Sequence, residues 1–175
     1  MMPSGPDLGT IEYMQGRRPP GLFGFFAVLL VTGGCVGMAQ TQSPAPNQSA
    51  RERTLLAESF AQEKVWAWQR RLNLRDWSVA VVVSRASELK PETLGHIHWD
   101  LDKKTAVIRV LDPADYRLPF KAMLDDIEFT VVHELIHLDL APVLTDFQRS
   151  EANRLEEEHL VNQMAEALLK LDRQK

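Results

Sequence analysis

The sequence has few of the features that would place a protein in a special class. It contains a single cysteine, so an intrachain disulfide and a zinc site built from several cysteines are both excluded. Basic residues are not in excess, since 20 Lys and Arg stand against 24 Asp and Glu, and we expect no nucleic acid as a main partner. With 25% charged and 45% hydrophobic residues, the composition is that of an ordinary soluble globular protein.

The first 39 residues differ from the rest of the chain. Arg17 and Arg18 precede an apolar run at residues 21–31, and small residues follow the run as far as Ala39. The run is too short for a membrane-spanning helix, which needs about 20 apolar residues. A basic flank, an apolar run and a small-residue exit are typical of a secretory signal. We therefore predict that residues 1–39 are an export segment and that the protein is periplasmic or extracellular.

Two alternatives for this segment stay open. Residues 32–35 (TGGC) are similar to a bacterial lipobox, in which case Cys35 would carry a lipid and attach the protein to a membrane. If translation starts at Met38, there is no export segment and the protein is cytoplasmic. Residues 40–52 are polar and contain two prolines, which predicts a flexible linker. Residues 53–175 are then long enough for one domain with its own core.

Hydrophobic periodicity in this domain predicts the order helix, strand, hairpin, helix, helix. The predicted elements are a helix over residues 53–73, a strand over 77–84, a hairpin of 95–100 and 105–111, and helices over 124–140 and 151–171. Pro142 is expected to stop the second helix, and Ser150 is expected to cap the third. Strands grouped between helices predict an α+β fold with a small, three-stranded, mostly antiparallel sheet.

The second helix carries a motif with metal-binding spacing, His133-Glu134-Leu135-Ile136-His137. Residues four apart share one helix face, so both imidazoles can reach the same ion. Glu134 is rotated by about 100° from His133, where it can act as a general base on a water bound to that ion. The flanking residues are apolar, and two buried histidines there would be costly without a partner. The motif therefore predicts one Zn²⁺ held by His133 and His137.

A catalytic zinc site needs a third protein ligand, and the last helix offers three consecutive glutamates, Glu156, Glu157 and Glu158. The apolar residues of this helix predict a stripe facing the core, made of Leu160, Val161, Met164, Leu168 and Leu171. At 100° per residue, Glu157 alone lies on that stripe. We therefore expect Glu157 to be the third ligand, with Glu156 as the second choice.

These two segments resemble a known family. HELIHL at residues 133–138, followed by a helix with EEEHLV at 156–161, resembles the gluzincin branch of the zincin metallopeptidases, and more closely the small single-domain minigluzincins. The resemblance implies a zincin-like fold and zinc-dependent hydrolysis of a peptide or protein substrate, with Glu134 passing a proton from the zinc-bound water to the leaving amine. It also implies an edge strand that binds the substrate backbone, here residues 105–111. The implied zinc ligands are His133, His137 and Glu157.

Two other functions stay open at this stage. One is a catalytically inactive module that uses zinc for stability or peptide binding, because no oxyanion-stabilising group can be assigned beyond Tyr116 as a candidate. The other is an interaction module in which residues 133–137 belong only to the core. Glu128 could orient a metal ligand or be a surface charge. His96 and His98, which share one face of a strand, are expected to be partly exposed, with a place lining the cleft as the alternative. His159 is expected to be exposed, and the sequence predicts no oligomeric state.

Overall fold

The computed structural model describes residues 10–14, 46–89, 93–144 and 150–174. Three α-helices and a mixed β-sheet form an α+β fold, which confirms the predicted class. The elements in chain order are β1 (Thr10–Met14), α1 (Pro46–Arg71), β2 (Ser78–Ser84), β3 (Thr93–Asp100), β4 (Thr105–Leu111), α2 (Phe120–Leu144) and α3 (Glu151–Asp172).

The sheet has the strand order β1-β3-β4-β2. β3 and β4 form the predicted antiparallel hairpin, and β1 pairs antiparallel with the other side of β3. β2 pairs with β4 rather than with its neighbour in sequence, and the two run parallel from Ser78 opposite Thr105 to Ser84 opposite Leu111. Two of the three pairings are antiparallel, as predicted for most of the sheet, and the parallel pairing of β2 makes the sheet mixed. Because β3 and β4 are antiparallel, the β2 strand, which runs parallel to β4, is antiparallel in direction to β3.

β4 lies in the interior of the sheet, with hydrogen bonds to β3 on one side and to β2 on the other. Residues 105–111 are therefore not an edge strand, and the expectation that this strand binds a substrate backbone is wrong. Its residues Ala106, Ile108 and Val110 are buried beneath the helices, which suits a central strand.

α1 and α2 pack against the sheet, and α3 packs against α2. Every residue of α2 from Ile127 to Leu138 is buried, because this helix is in contact with α1, α3 and the strands. The sheet and α2 are in close contact at Gly95, where an added Cβ would lie 2.5 Å from Cγ2 of Thr130 and 2.5 Å from the carbonyl oxygen of Arg109. A glycine is needed at this position because any side chain would push α2 away from β3.

The helices extend further than the sequence predicts. α1 begins at Pro46, so part of the predicted linker of residues 40–52 is helical, and a proline suits the first position because its missing N–H needs no partner there. α2 continues to Leu144, two residues past Pro142. α3 starts at Glu151, with the Ser150 hydroxyl accepting a hydrogen bond from the Asn153 N–H at 3.1 Å, as predicted for a cap.

The predicted export segment falls mainly on residues outside the described ranges, including Cys35 and Met38. Only Thr10–Met14 of that segment is described, as strand β1. Within the described ranges, no helix is both long enough and apolar enough to cross a membrane.

Candidate metal centre

α2 carries both histidines of the motif and the glutamate between them. His133, Glu134 and His137 are each 0% exposed, since they lie in the stretch of α2 that is covered on all sides. The two imidazole rings face each other edge to face, with centroids 4.7 Å apart, as expected of residues one helical turn apart on the same face. The helix thus brings two ring nitrogens to one point in the core.

α3 supplies a carboxylate at the same point. Nε2 of His133 lies 3.0 Å from Nε2 of His137 and 3.3 Å from Oε2 of Glu158, and Nε2 of His137 lies 3.5 Å from Oε1 of Glu158. Zinc bonds of about 2.0–2.1 Å in a tetrahedral arrangement separate neighbouring ligand atoms by about 3.3–3.4 Å. The donor spacing therefore fits a single ion, and the buried Oε2 of Glu158, next to Nε2 of His133, is available to bind it.

The other nitrogen of each imidazole has a partner on α3. Nδ1 of His137 lies 3.0 Å from Oε1 of Glu157, and Nδ1 of His133 lies 3.2 Å from Oδ1 of Asn162. With hydrogen on Nδ1, each ring donates to an oxygen and keeps its Nε2 lone pair directed at the common point. Carboxylate or amide partners of this kind orient metal-binding histidines and make them more basic. Glu157 and Asn162 thus hold the rings of the two ligands in place.

The structure brings Glu158, and not Glu157, into the set of three donors. The predicted stripe was displaced from the buried face of α3, because three of its five residues, Leu160, Met164 and Leu171, are 55%, 45% and 61% exposed. The buried face of α3 comprises Val161, Ala165 and Leu169. Glu158 lies three residues before Val161 and therefore on that face. Glu156, the second choice in the sequence analysis, is exposed.

Asn162 was missed altogether by the sequence analysis. The sequence signal that could have identified Asn162 is its distance along the chain from Glu158. A residue four positions after Glu158 lies on the same face of α3, one helical turn further on. The spacing identifies Asn162 only after Glu158 is known to face the core.

Burial, hydrogen bonds and neighbouring charges shift the pKa values of His133, His137 and Glu158. Burial alone would raise the pKa of Glu158, but the hydrogen bonds and charges of His133 and His137 lower it to about 2. Burial alone would lower the pKa of His137, but hydrogen bonds to Glu157 and Glu158 and the charge of Glu134 raise it to about 9. Burial keeps the pKa of His133 below its usual value, so this ring stays neutral. The centre therefore combines one ionised carboxylate, one neutral imidazole at His133, and the imidazole of His137, which would release a proton on binding a cation.

No protein-family model, curated protein or solved structure matches this chain. The centre therefore has to be interpreted from its own donor atoms and their geometry.

The other candidate residues lie away from this centre. The Tyr116 hydroxyl donates to Oδ2 of Asp126 at 3.1 Å. Asp126 lies seven residues before His133, about 10 Å away along α2. Burial raises the pKa of the Tyr116 phenol. Oε1 of Glu128 accepts from Nζ of Lys64 at 2.9 Å and from the indole of Trp68 at 3.2 Å. Glu128 thus ties α2 to α1 and does not orient a metal ligand.

The remaining histidines do not reach the centre either. His159 is exposed, as predicted, and its Nε2 pairs with the amide of Gln163 at 2.8 Å. His96 and His98 alternate along β3 with buried residues such as Gly95, whose face packs on α2. Their side chains point to the opposite face of the sheet and are partly exposed, as predicted, and they do not line the metal centre.

Proposed function

We propose that this protein is a small zinc metallopeptidase in which His133, His137 and Glu158 hold one zinc ion and Glu134 is the general base. The observation that carries the proposal is the convergence of two Nε2 atoms and one carboxylate within 4.8 Å of one another, beside the buried glutamate of an HExxH motif. Among the described residues this set has three donors. Catalytic zinc sites have three protein ligands and keep a fourth position for water or substrate, whereas structural sites have four.

The reaction proposed is the hydrolysis of a peptide bond. A zinc ion bound here would supply Lewis acidity and lower the pKa of water. Glu134 would accept a proton from the attacking water and return it to the leaving nitrogen. Glu134 follows His133 directly, so it is rotated by about 100° from that ligand on the same buried segment of α2. Glu157 and Asn162 would keep both imidazoles in the orientation that the reaction needs.

Replacing the base tests this proposal directly. Glu134→Gln removes the proton acceptor while leaving the three donors in place, so the protein should still bind one zinc ion per chain. Hydrolysis of a mixture of fluorescent peptides should fall by about 10²–10⁴-fold, the usual contribution of general-base catalysis. Glu156→Gln is the matched control, because it makes the same chemical change at an exposed position of α3. Full activity of Glu134→Gln would eliminate the assignment of the base.

A second function is favoured by one observation. Tyr116, the side chain considered for stabilising a developing oxyanion, donates its hydroxyl hydrogen to Asp126 instead. A zinc-stabilised module without turnover would need no such group. It would bind zinc in the wild type, lose thermal stability when the zinc is removed with a chelator, and hydrolyse none of the peptides. Measurable hydrolysis that depends on Glu134 decides against this alternative.

A further inference from the structure

A second concave site lies between the end of α1 and the start of β2, and it shares no residue with the metal centre. The pocket has a volume of about 510 Å³. Its lining includes Trp66, Gln69, Arg70, Arg75, Trp77 and Ser78. A pocket of this size can accommodate a small organic molecule.

Two guanidinium groups border the pocket, and its described lining contains no acidic residue. Arg70 and Arg75 are both exposed, and neither forms an ion pair within the part of the chain that the structure describes. Neighbouring basic residues do have partners: Arg71 pairs with Asp172 at 2.8 Å, and Lys104 lies 3.6 Å from Asp76. The overall charge of the chain is −4, so the pocket is a local concentration of positive charge on an acidic protein.

An exposed indole forms one wall of the pocket. Trp66 is 60% exposed, whereas Trp68, Trp77 and Trp99 are all buried in the core. A large aromatic ring left in water forgoes the stabilisation that its burial would give. Beside two unpaired guanidinium groups, such a ring offers a flat surface on which the apolar part of a ligand can stack.

The pocket is held in shape by a buried amide. Nε2 of Gln69 donates to the carbonyl oxygens of Leu74 at 3.1 Å and Trp77 at 2.9 Å. These two bonds fix the turn that carries Arg75 against the last turn of α1, which carries Arg70. The backbone positions from which Arg70 and Arg75 extend are therefore fixed before a ligand binds, which lowers the entropic cost of binding.

We propose that this pocket binds a small organic anion that consists of a flat ring carrying a carboxylate or phosphate. Arg70 and Arg75 bind the acidic group, since guanidinium groups form paired, charge-assisted hydrogen bonds with such oxygens. The ring stacks on Trp66. This binding activity is separate from the proposed hydrolysis, and neither depends on the other.

The test uses the zinc-loaded full chain and measures binding by calorimetry and by quenching of tryptophan fluorescence. The probes are indole-3-acetate for a carboxylate on a ring and adenosine monophosphate for a phosphate on a ring. Their controls are the uncharged compounds indole and adenosine, together with inorganic phosphate as an anion without a ring. At least one of the two ring anions should bind with a Kd below about 1 mM, and at least 10-fold more tightly than its uncharged counterpart.

Variants at exposed positions locate the binding site. Arg70→Gln and Arg75→Gln should each weaken binding by at least 10-fold, and Trp66→Leu should remove the fluorescence quenching. Arg51→Gln is the matched control, because it removes an exposed arginine elsewhere on α1, outside the lining of the pocket, and should leave the Kd unchanged. Unchanged zinc content and circular dichroism in each variant show that the fold is intact.

Three results would overturn the proposal. The first is the absence of binding by both ring anions. The second is binding of inorganic phosphate as tightly as that of the ring anions, which would indicate an adventitious ion only. The third is an equal loss of affinity in Arg51→Gln, which would indicate a general effect of charge. Preference for one of the two ring anions identifies the acidic group of the ligand.

Discussion

The three consecutive glutamates at the start of α3 should differ sharply in their effect on zinc binding. Glu158 contributes a carboxylate oxygen to the set of donors, Glu157 accepts a hydrogen bond from His137, and Glu156 is exposed to solvent. Alanine at each position makes the same chemical change in three different environments. The comparison therefore separates a ligand from an orienting residue and from a surface charge on the same helix.

The expected magnitudes follow from these roles. Structural zinc sites with four ligands bind with about 10–16 kcal/mol, or about 2.5–4 kcal/mol per ligand, so Glu158→Ala should weaken zinc binding by about two to three orders of magnitude. Loss of an orienting partner usually costs about 10–100-fold in metal affinity, which is the range expected for Glu157→Ala. Glu156→Ala should leave the affinity unchanged, because an exposed charge contributes little.

The assay is competition for zinc with a chromophoric chelator, supported by metal analysis of the purified variants. Circular dichroism of the metal-free proteins shows whether each variant folds, and Glu158→Gln provides a variant of nearly the same volume. The reasoning would be refuted if Glu157→Ala lost zinc while Glu158→Ala kept it. Equal affinities for all three variants and the wild type would refute a metal site at this position altogether.

Three further predictions concern contacts that stabilise α2 and α3, the two helices that carry the centre. Gly95→Ala should lower the free energy of unfolding in urea by about 1–3 kcal/mol, because its Cβ would lie 2.5 Å from Cγ2 of Thr130; unchanged stability would mean that α2 has no tight contact there. Tyr116→Phe should cost about 1–3 kcal/mol through the loss of its hydrogen bond to Asp126, with zinc content and kcat retained, and a fall in kcat alone would place the phenol in the reaction. Ser150→Ala should cost about 0.5–2 kcal/mol in thermal unfolding, and Ser150→Asp, which keeps a cap acceptor, should restore most of this loss.

Local patterns determined the order and type of the elements. The β-branched run of β2, the two runs of the hairpin and the helical spacing of α1, α2 and α3 each identify an element from neighbouring residues alone, because side-chain periodicity is a property of a single segment. The start of α1 was missed because residues 46–52 are polar, and such residues can form a helix without showing an apolar face.

The pairing of strands required the tertiary structure. Nothing in the sequence of β2 distinguishes β3 from β4 as its neighbour, since all three strands are apolar on one face. The choice of β4 depends on the path of the chain between the strands and on how α1 and α2 cover the sheet. The pairing of β2 with β4 also places residues 105–111 inside the sheet.

Part of the metal centre could likewise be predicted from the sequence, and part of it required the tertiary structure. His133, Glu134 and His137 could be predicted because the spacing within one helix sets their relative directions whatever the helix packs against. The third ligand could not be predicted from the sequence, because α3 has apolar residues on both faces. Val161 lies on its buried face and Leu160 on its exposed face. The rotation of α3 against α2 is decided by packing between helices, and only that rotation selects Glu158 among three glutamates that the sequence presents side by side.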